Sequence, residues 1–375
     1  MQTPRYEYSR SMIAERITSL KNLSLPYGLV VRYALKANPH PEIVSLLNAA
    51  GIHFDASSSY EAANLLELGV NGGHISLSSQ QSPHNIDELL KAQVHFVATS
   101  MKQIQLFLKS KNHPETIGVR INPDITNGGH NKRTSTGGVT ASFGIWHEYT
   151  DAILRQTTSQ GVKITRLHIH IGSGADTSIW EQVIDTSLQV CEKFIDVVSL
   201  DIGGGFKVHR FGDEKEANMI AIAQVFSKKI AEFFEKTGRR IQLEIEPGTY
   251  FIAHAGTLVA QVDDIVDTGK NGFTFLRLNT GMNDFLRSTL YGARHKIQIH
   301  NKSDETKEYV IVGHNCESGD IFTPEPGNPE AIETVTLNYA TIGDEVRISD
   351  VGAYCASMRA KGYNSFPDAI EIMVA

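Results

Sequence analysis

Lys36 sits in the segment Tyr33-Ala34-Leu35-Lys36-Ala37-Asn38, after an apolar run and among small neighbours. Partial burial there lowers an amine's pKa and frees the neutral form for imine formation with a carbonyl. A surface lysine capping a strand is the other reading of the same residues. The run Asp201-Ile202-Gly203-Gly204-Gly205-Phe206 sets three glycines in a row, so that backbone N–H groups can approach an anion without Cβ interference. Phosphate is the natural guest, and a flexible turn also fits. In His168-Ile169-His170-Ile171-Gly172-Ser173-Gly174 the two histidines share one face of a strand. Metal ligation needs a third donor, and no acidic, Cys or His partner is evident nearby. Stacking of an imidazole on an aromatic cofactor, with Ser173 and the glycines holding its phosphate, fits better. A satisfied core histidine fits too.

Glu244-Ile245-Glu246-Pro247-Gly248-Thr249 also places two carboxylates on one face. Such neighbours serve poorly as a glycosidase-like pair across a scissile bond, so a chemical role goes to Glu246 and a structural one to Glu244. Facing a pyridine nitrogen, Glu246 would keep it protonated and strengthen the ring as an electron sink. Cys316 lies in Gly313-His314-Asn315-Cys316-Glu317-Ser318-Gly319-Asp320, where polar and turn-forming neighbours suit a reactive exposed thiol as well as inert packing. Arg287 offers a guanidinium for bidentate carboxylate binding, or for an ordinary surface ion pair.

Chemistry from residues so far apart requires a frame that gathers strand ends. From residue 29 to 246, short apolar runs alternate with helical patterns, placing eight strands at 29–34, 52–56, 74–77, 95–99, 116–121, 164–171, 197–202 and 241–246. Helices are expected at 42–50, 60–68, 86–91, 102–109, 178–194 and 218–236. This is the pattern of a closed (β/α)8, TIM-like barrel, although periodicity alone does not separate it from an open doubly wound sheet. In a barrel the C-terminal strand ends carry the site, and Lys36, His170, the glycines and Glu246 all fall there. The polar stretch 122–140 reads as a mobile loop at the same end. Beyond 255 the pattern changes to strands and turns, at 256–266, 272–278, 309–312 and 345–348, which reads as a C-terminal β-sandwich or β-barrel domain. Residues 5–8 add a strand to it ahead of an entry helix at 9–20. The expected division is a barrel over 10–254 and a β-domain from 1–9 and 255–375.

The 375 residues are 41% hydrophobic and 21% charged, an ordinary globular composition. A net charge of -7 without a Lys/Arg cluster argues against nucleic acid, leaving small molecules as the expected partners. No signal-like leader and no long apolar run is present, so no membrane association and a cytoplasmic location are expected. Cys191, Cys316 and Cys355 have spacings that suit neither a disulfide framework nor a zinc site.

In their order along the chain, segments 33–38, 170–173, 203–205, 246–248, 316–320 and 352–354 resemble those of the fold-type III pyridoxal-phosphate decarboxylases, over nearly the full length. Gly281-Met282-Asn283-Asp284 with Arg287 and Leu290-Tyr291, Cys316-Glu317-Ser318 and Tyr363-Asn364-Ser365 look most like the diaminopimelate decarboxylase branch. The resemblance implies pyridoxal 5'-phosphate on Lys36 as an internal aldimine, His170 stacked on its ring and Glu246 at its nitrogen. Asp55 would contact the cofactor, and Ser173, Gly203, Gly204, Gly205, Gly248, Thr249 and Tyr354 would hold the phosphate. Cys316 would reprotonate Cα, while Arg287, Tyr291, Glu317 and Tyr354 would bind substrate. It further implies a homodimer whose site is shared across the interface, and conversion of meso-diaminopimelate, or a close analogue, to L-lysine. A decarboxylase of another amino acid, a racemase of the same fold type and a non-catalytic cofactor carrier are the alternatives, the last opposed by Cys316, Glu317 and Arg287. The chain departs from the branch at Thr249, where Glu-Pro-Gly-Arg is usual, and at Ser142 and Ser288, in place of the usual lysine and proline. Thr249 removes one guanidinium, a charged hydrogen bond of roughly 1.5–3 kcal/mol, or one to two decades in affinity.

Overall fold

The computed structural model describes residues 1–124, 137–170 and 172–375. Residues 125–136 of the expected loop, and Ile171 at the end of the sixth expected strand, lie outside the described residues. Eight parallel strands form in chain order: Leu29–Ala34, His53–Ala56, Ile75–Leu77, His95–Ala98, Thr116–Asn122, Lys163–His168, Ser199–Asp201 and Gln242–Ile245. Each pairs with the next, and the eighth pairs back to the first, Leu243 opposite Leu29 and Ile245 opposite Val31. A ring with no free edge results. The barrel is closed, and the open-sheet alternative is excluded.

Local chemistry starts the helices that follow the second and fourth strands. Ser58 Oγ accepts from the Glu61 N–H at 3.1 Å, while Glu61 Oε2 reaches back to the Ser57 N–H at 2.6 Å. Ser100 and Gln103 repeat the pattern, Gln103 Oε1 taking the Thr99 N–H at 2.9 Å. Such reciprocal caps satisfy donors that a helix start leaves open. They also rigidify the turns that follow the strands. The helix Thr150–Thr158 is absent from the helices expected above, because its threonines have weak helix propensity. Its buried face, Ile153 and Thr157, holds it through packing instead.

The barrel interior is ionic where such interiors are usually filled by branched apolar side chains. Arg32 Nε donates to Glu244 Oε2 at 2.5 Å, Arg166 donates to Asp201 Oδ2 at 3.0 Å and also to Glu244, and Ser199 Oγ bonds Glu244 as well. Burial works to raise the Glu244 pKa, but Arg166 and Arg32 outweigh it and hold the carboxyl below its ordinary value. Glu244 is therefore an anion shared by two guanidiniums. Removing one member of such a buried network costs about 3–5 kcal/mol.

Near the start of the second and third strands, His53 stacks on His74 with ring centroids 4.1 Å apart. Burial, then Arg32 and the neighbouring His74, lowers the His53 pKa to about 4, with Glu244 acting the other way and His95 adding to the lowering. The folded protein thus prefers neutral His53. Its stabilising contribution is complete above the ordinary value of 6.5 and is lost as pH falls towards about 4. A tenfold change in proton affinity is worth about 1.4 kcal/mol at most, and solvent screening reduces that here because the ring is only half-buried. His53→Asn is expected to flatten the fall of the urea midpoint between these pH values; a slope identical to the parent's would remove His53 as its source.

Contacts group the chain into two units. One comprises Ile17–Val208 and Lys215–Tyr250; the other comprises Met1–Arg16, His209–Glu214 and Phe251–Ala375. The short excursion His209–Glu214 is absent from the division expected from sequence. In the second unit the mostly antiparallel sheet is built on the long strand Gly256–Asp267, flanked by Thr274–Leu278 and Glu345–Ser349 and extended by Ile297–His300, Thr306–Val312 and Val335–Asn338. Arg5–Ser9 joins it, antiparallel to Gly256–Asp267 and parallel to Ile370–Val374. Among the described residues no helix is long and apolar enough to cross a membrane.

Candidate active site

Lys36 stands in a three-residue 3-10 turn, Leu35–Ala37, directly after the first barrel strand. Its flanking residues Leu35 and Ala37 are buried, but its own side chain is 45% exposed, against the partial burial expected from sequence. Nζ lies 3.2 Å from Ser57 Oγ, which the second strand's helix cap positions, and 3.5 Å from the buried Asp55 Oδ2. Burial raises the Asp55 pKa, against the pull of Lys36.

The glycine turn is explained by what a side chain would strike. A Cβ on Gly203 would fall 2.2 Å from His170 Nδ1, and one on Gly204 would fall 2.2 Å from the Glu246 carbonyl oxygen. On Gly205 it would meet the Gly172 carbonyl at 2.2 Å and Ser173 Cα at 2.8 Å. Gly203 and Gly205 also have φ of +74° and +99°, open to glycine at little cost. The sixth, seventh and eighth strand ends therefore close upon one another here. His170, Ser173 and the Glu246 backbone are brought to one glycine turn, and a backbone link from Gly174 N–H to the Gly205 carbonyl, 3.0 Å, holds it. Gly248 and Thr249 follow at once, Thr249 opening the short helix Thr249–Ile252.

Glu246 is buried, and its Oε1 has no hydrogen-bond partner among the described residues. Burial, reinforced by Asp201 and then Asp55, holds its pKa well above the ordinary carboxyl value despite Lys36. His168 Nε2 lies 3.6 Å from Glu246 Oε2, and burial followed by Arg120 and Arg166 keeps the imidazole well below its usual range, hence neutral. His170 is held neutral by burial and then by Arg120 and Lys36.

Asp201, Arg120, Arg166 and Ser57 are the neighbours that motif reasoning passes over. For the three charged residues the signal is their place inside otherwise apolar strands, where burial demands partners; Ser57 leaves none. Asp201 and Glu246 also supply the acidic neighbours that His168 lacks in sequence; the donor atoms of the three lie within 4.8 Å of one another. Asp201 is already engaged, Oδ1 by the Gly203 N–H at 2.9 Å and Oδ2 by Arg166. Asp201 is thus committed to the glycine turn and to Arg166 rather than left open as a metal ligand.

In the second unit Cys316 is exposed, its N–H bound by Asn364 Oδ1 at 2.7 Å. Glu317 Oε1 accepts from the Gly319 N–H at 3.1 Å, and Thr289 Oγ1 donates to the Gly319 carbonyl at 3.0 Å, tying this loop to the helix Arg287–Tyr291. The Arg287 guanidinium lies 5.9 Å from the Tyr291 ring centroid. Tyr354 has φ +57°, a conformation that costs a bulky residue about 1–3 kcal/mol and marks many functional sites.

A partnerless buried carboxylate oxygen, a glycine cradle and a strand-end amine are the donor set that a phosphorylated pyridine aldehyde requires. Residues 10–253 match the family model described as pyridoxal-dependent decarboxylase, pyridoxal binding domain. The chain belongs to the pyridoxal-dependent decarboxylases. Pyridoxal 5'-phosphate is the cofactor, and the enzyme is a carboxy-lyase. Among curated members of the family, a diaminopimelate decarboxylase of Buchnera aphidicola subsp. Schizaphis graminum is 32% identical, covering 100% of this chain and 89% of the relative. A crystal structure of a diaminopimelate decarboxylase is similar with a TM-score of 0.89 at 30% identity, over 99% of this chain and 88% of the other. The Helicobacter pylori diaminopimelate decarboxylase complexed with L-lysine gives 0.86 at 26% identity, over 100% and 92%.

Proposed function

We propose that this decarboxylase acts on meso-diaminopimelate and releases L-lysine, and that it does so as a cytoplasmic homodimer whose active site is shared between subunits. The observation that carries the substrate reading is the likeness to diaminopimelate decarboxylases over nearly the whole chain, second unit included. Bound pyridoxal phosphate supplies a carbonyl for imine exchange and a pyridine ring that accepts the electron pair left by departing CO2.

The residue roles are those the family resemblance implies, and for several of them the surroundings lend support. Lys36 would provide the amine that holds the cofactor, with Asp55 and Ser57 steering Nζ. Gly203 to Gly205, Ser173, Gly248, Thr249 and Tyr354 would hold the phosphate. His170, held neutral, would cover the ring. Glu246 would face the ring nitrogen with its open Oε1; burial, then Asp201 and Asp55, raise its pKa, and a cationic ring would work the other way. Cys316 returns a proton to Cα, while Arg287, Tyr291 and Glu317 bind the substrate's far amino-acid end.

The test is CO2 release from a panel of meso-diaminopimelate, lysine, ornithine and arginine, with L-lysine measured as product. Turnover of meso-diaminopimelate at least about tenfold above the others is expected, the scale of one well-placed charged contact. Release from ornithine or lysine instead would move the substrate, and Cα–H exchange without CO2 would favour a racemase.

A further inference from the structure

The second unit contains a pair of arginines of which the motifs announce only Arg287. The excursion His209–Glu214 groups with that unit and brings Arg210 within electrostatic reach of Arg287. Arg210 Nε and Nη2 and Arg287 Nε are buried and have no hydrogen-bond partner among the described residues. Buried charged donors left unmade are costly and rare, so they mark a place where an acceptor belongs.

The surroundings do not supply that acceptor. Burial and then the Arg287 charge lower the Arg210 pKa to about 10, with Cys355, Glu214 and Asp350 pulling the other way. Cys355 is pushed up to about 12 by burial, so its thiol is uncharged. Asp350 Oδ1 is bound to His254 Nδ1 at 2.6 Å, and Glu214 Oε2 accepts the backbone N–H of Arg210 at 2.7 Å. His295 is buried against Phe285, and its Nδ1 donates to the Ser349 carbonyl at 3.0 Å. Burial, then Arg210 and Arg287, hold His295 neutral. Around two guanidiniums with three open donor atoms, the imidazole and thiol are thus uncharged, and the carboxylates of Asp350 and Glu214 bond to His254 and to the Arg210 backbone.

We propose that Arg210 joins Arg287 in binding the distal carboxylate of the substrate, supplying the second guanidinium that the Glu246-Pro247-Gly248-Thr249 turn lacks. This rests on the reading that the substrate carries a carboxylate at its far end. Two guanidiniums can grip one carboxylate through paired N–H donors, which discriminates a carboxylate from an amine at the same place. Arg210 is then a specificity residue of this chain, drawn from a different segment than the arginine it replaces.

The experiment measures binding of L-lysine, pimelate and cadaverine to the cofactor-loaded protein, and to Arg210→Gln and Arg210→Lys variants. L-Lysine and pimelate carry a terminal carboxylate, and cadaverine carries none. Arg210→Gln is expected to weaken L-lysine and pimelate by roughly ten- to hundredfold and leave cadaverine unchanged, with Arg210→Lys recovering part of the loss. Unaltered cadaverine binding shows that the variant is folded. Equal losses for all three ligands, no loss for the carboxylates, or a parent protein that binds neither carboxylate would overturn the proposal. Turnover of meso-diaminopimelate is read separately. Arg210-dependent pimelate binding without such turnover overturns the substrate and leaves the anion site standing; turnover with KM unchanged in Arg210→Gln does the reverse.

Discussion

Lys36→Ala is expected to lose the visible absorbance of the covalently held cofactor and to lower CO2 release by about 10⁴-fold, the upper end for losing a covalent and proton-transferring group. The reason is local. Nζ is the amine at the barrel mouth that Ser57 Oγ and Asp55 Oδ2 flank, at 3.2 and 3.5 Å. Lys36→Arg keeps the charge beside Asp55 but offers no amine able to condense, so it separates electrostatics from covalency. It is expected to fold with the parent's stability and remain as inactive as the alanine variant. The check is reductive trapping with borohydride followed by peptide mapping. A modified peptide that does not contain Lys36 would assign the attachment elsewhere.

The second large effect is expected at Cys316. Cys316→Ala should keep the cofactor absorbance yet lose about 10²–10⁴ in product formation, the range for one positioned proton donor. The other two thiols cannot replace it. Burial pushes Cys191 up to about 11 and Cys355 up to about 12, and both are buried, whereas Cys316 is exposed on a loop held by Asn364. Mixing inactive Lys36→Ala and Cys316→Ala subunits should restore part of the activity, because a hybrid dimer assembles one intact site from two damaged chains. Verified heterodimers without any recovery would contradict the shared site, while unchanged turnover in Cys316→Ala alone would exclude its role as proton donor.

The barrel was legible because its signals are short-ranged. Apolar strand runs, the Ser58 and Ser100 caps and the glycine turn each depend on neighbours a few residues away, and so survive as pattern. The helix Thr150–Thr158 and the strands Ile297–His300, Val335–Asn338 and Ile370–Val374 did not, since tertiary packing and sheet pairing hold them rather than propensity. Closure was also beyond pattern, as it joins residues 29–31 to 243–245.

The same division runs through the site. By itself the sequence determined the cofactor and nominated the groups proposed to serve it: the lysine after the first strand, the three glycines, His170, Glu246 and the cysteine loop. Those residues are constrained by backbone geometry or reactivity, and both leave a local mark. Only the tertiary structure decided how the groups are charged and supported. It showed that Glu244 is shared by Arg32 and Arg166, that Asp201 raises the pKa of Glu246, and that the segment carrying Arg210 groups with the unit that carries Arg287. Protonation and ion pairing depend on burial and on distance through space, and neither is written in the spacing of residues along the chain.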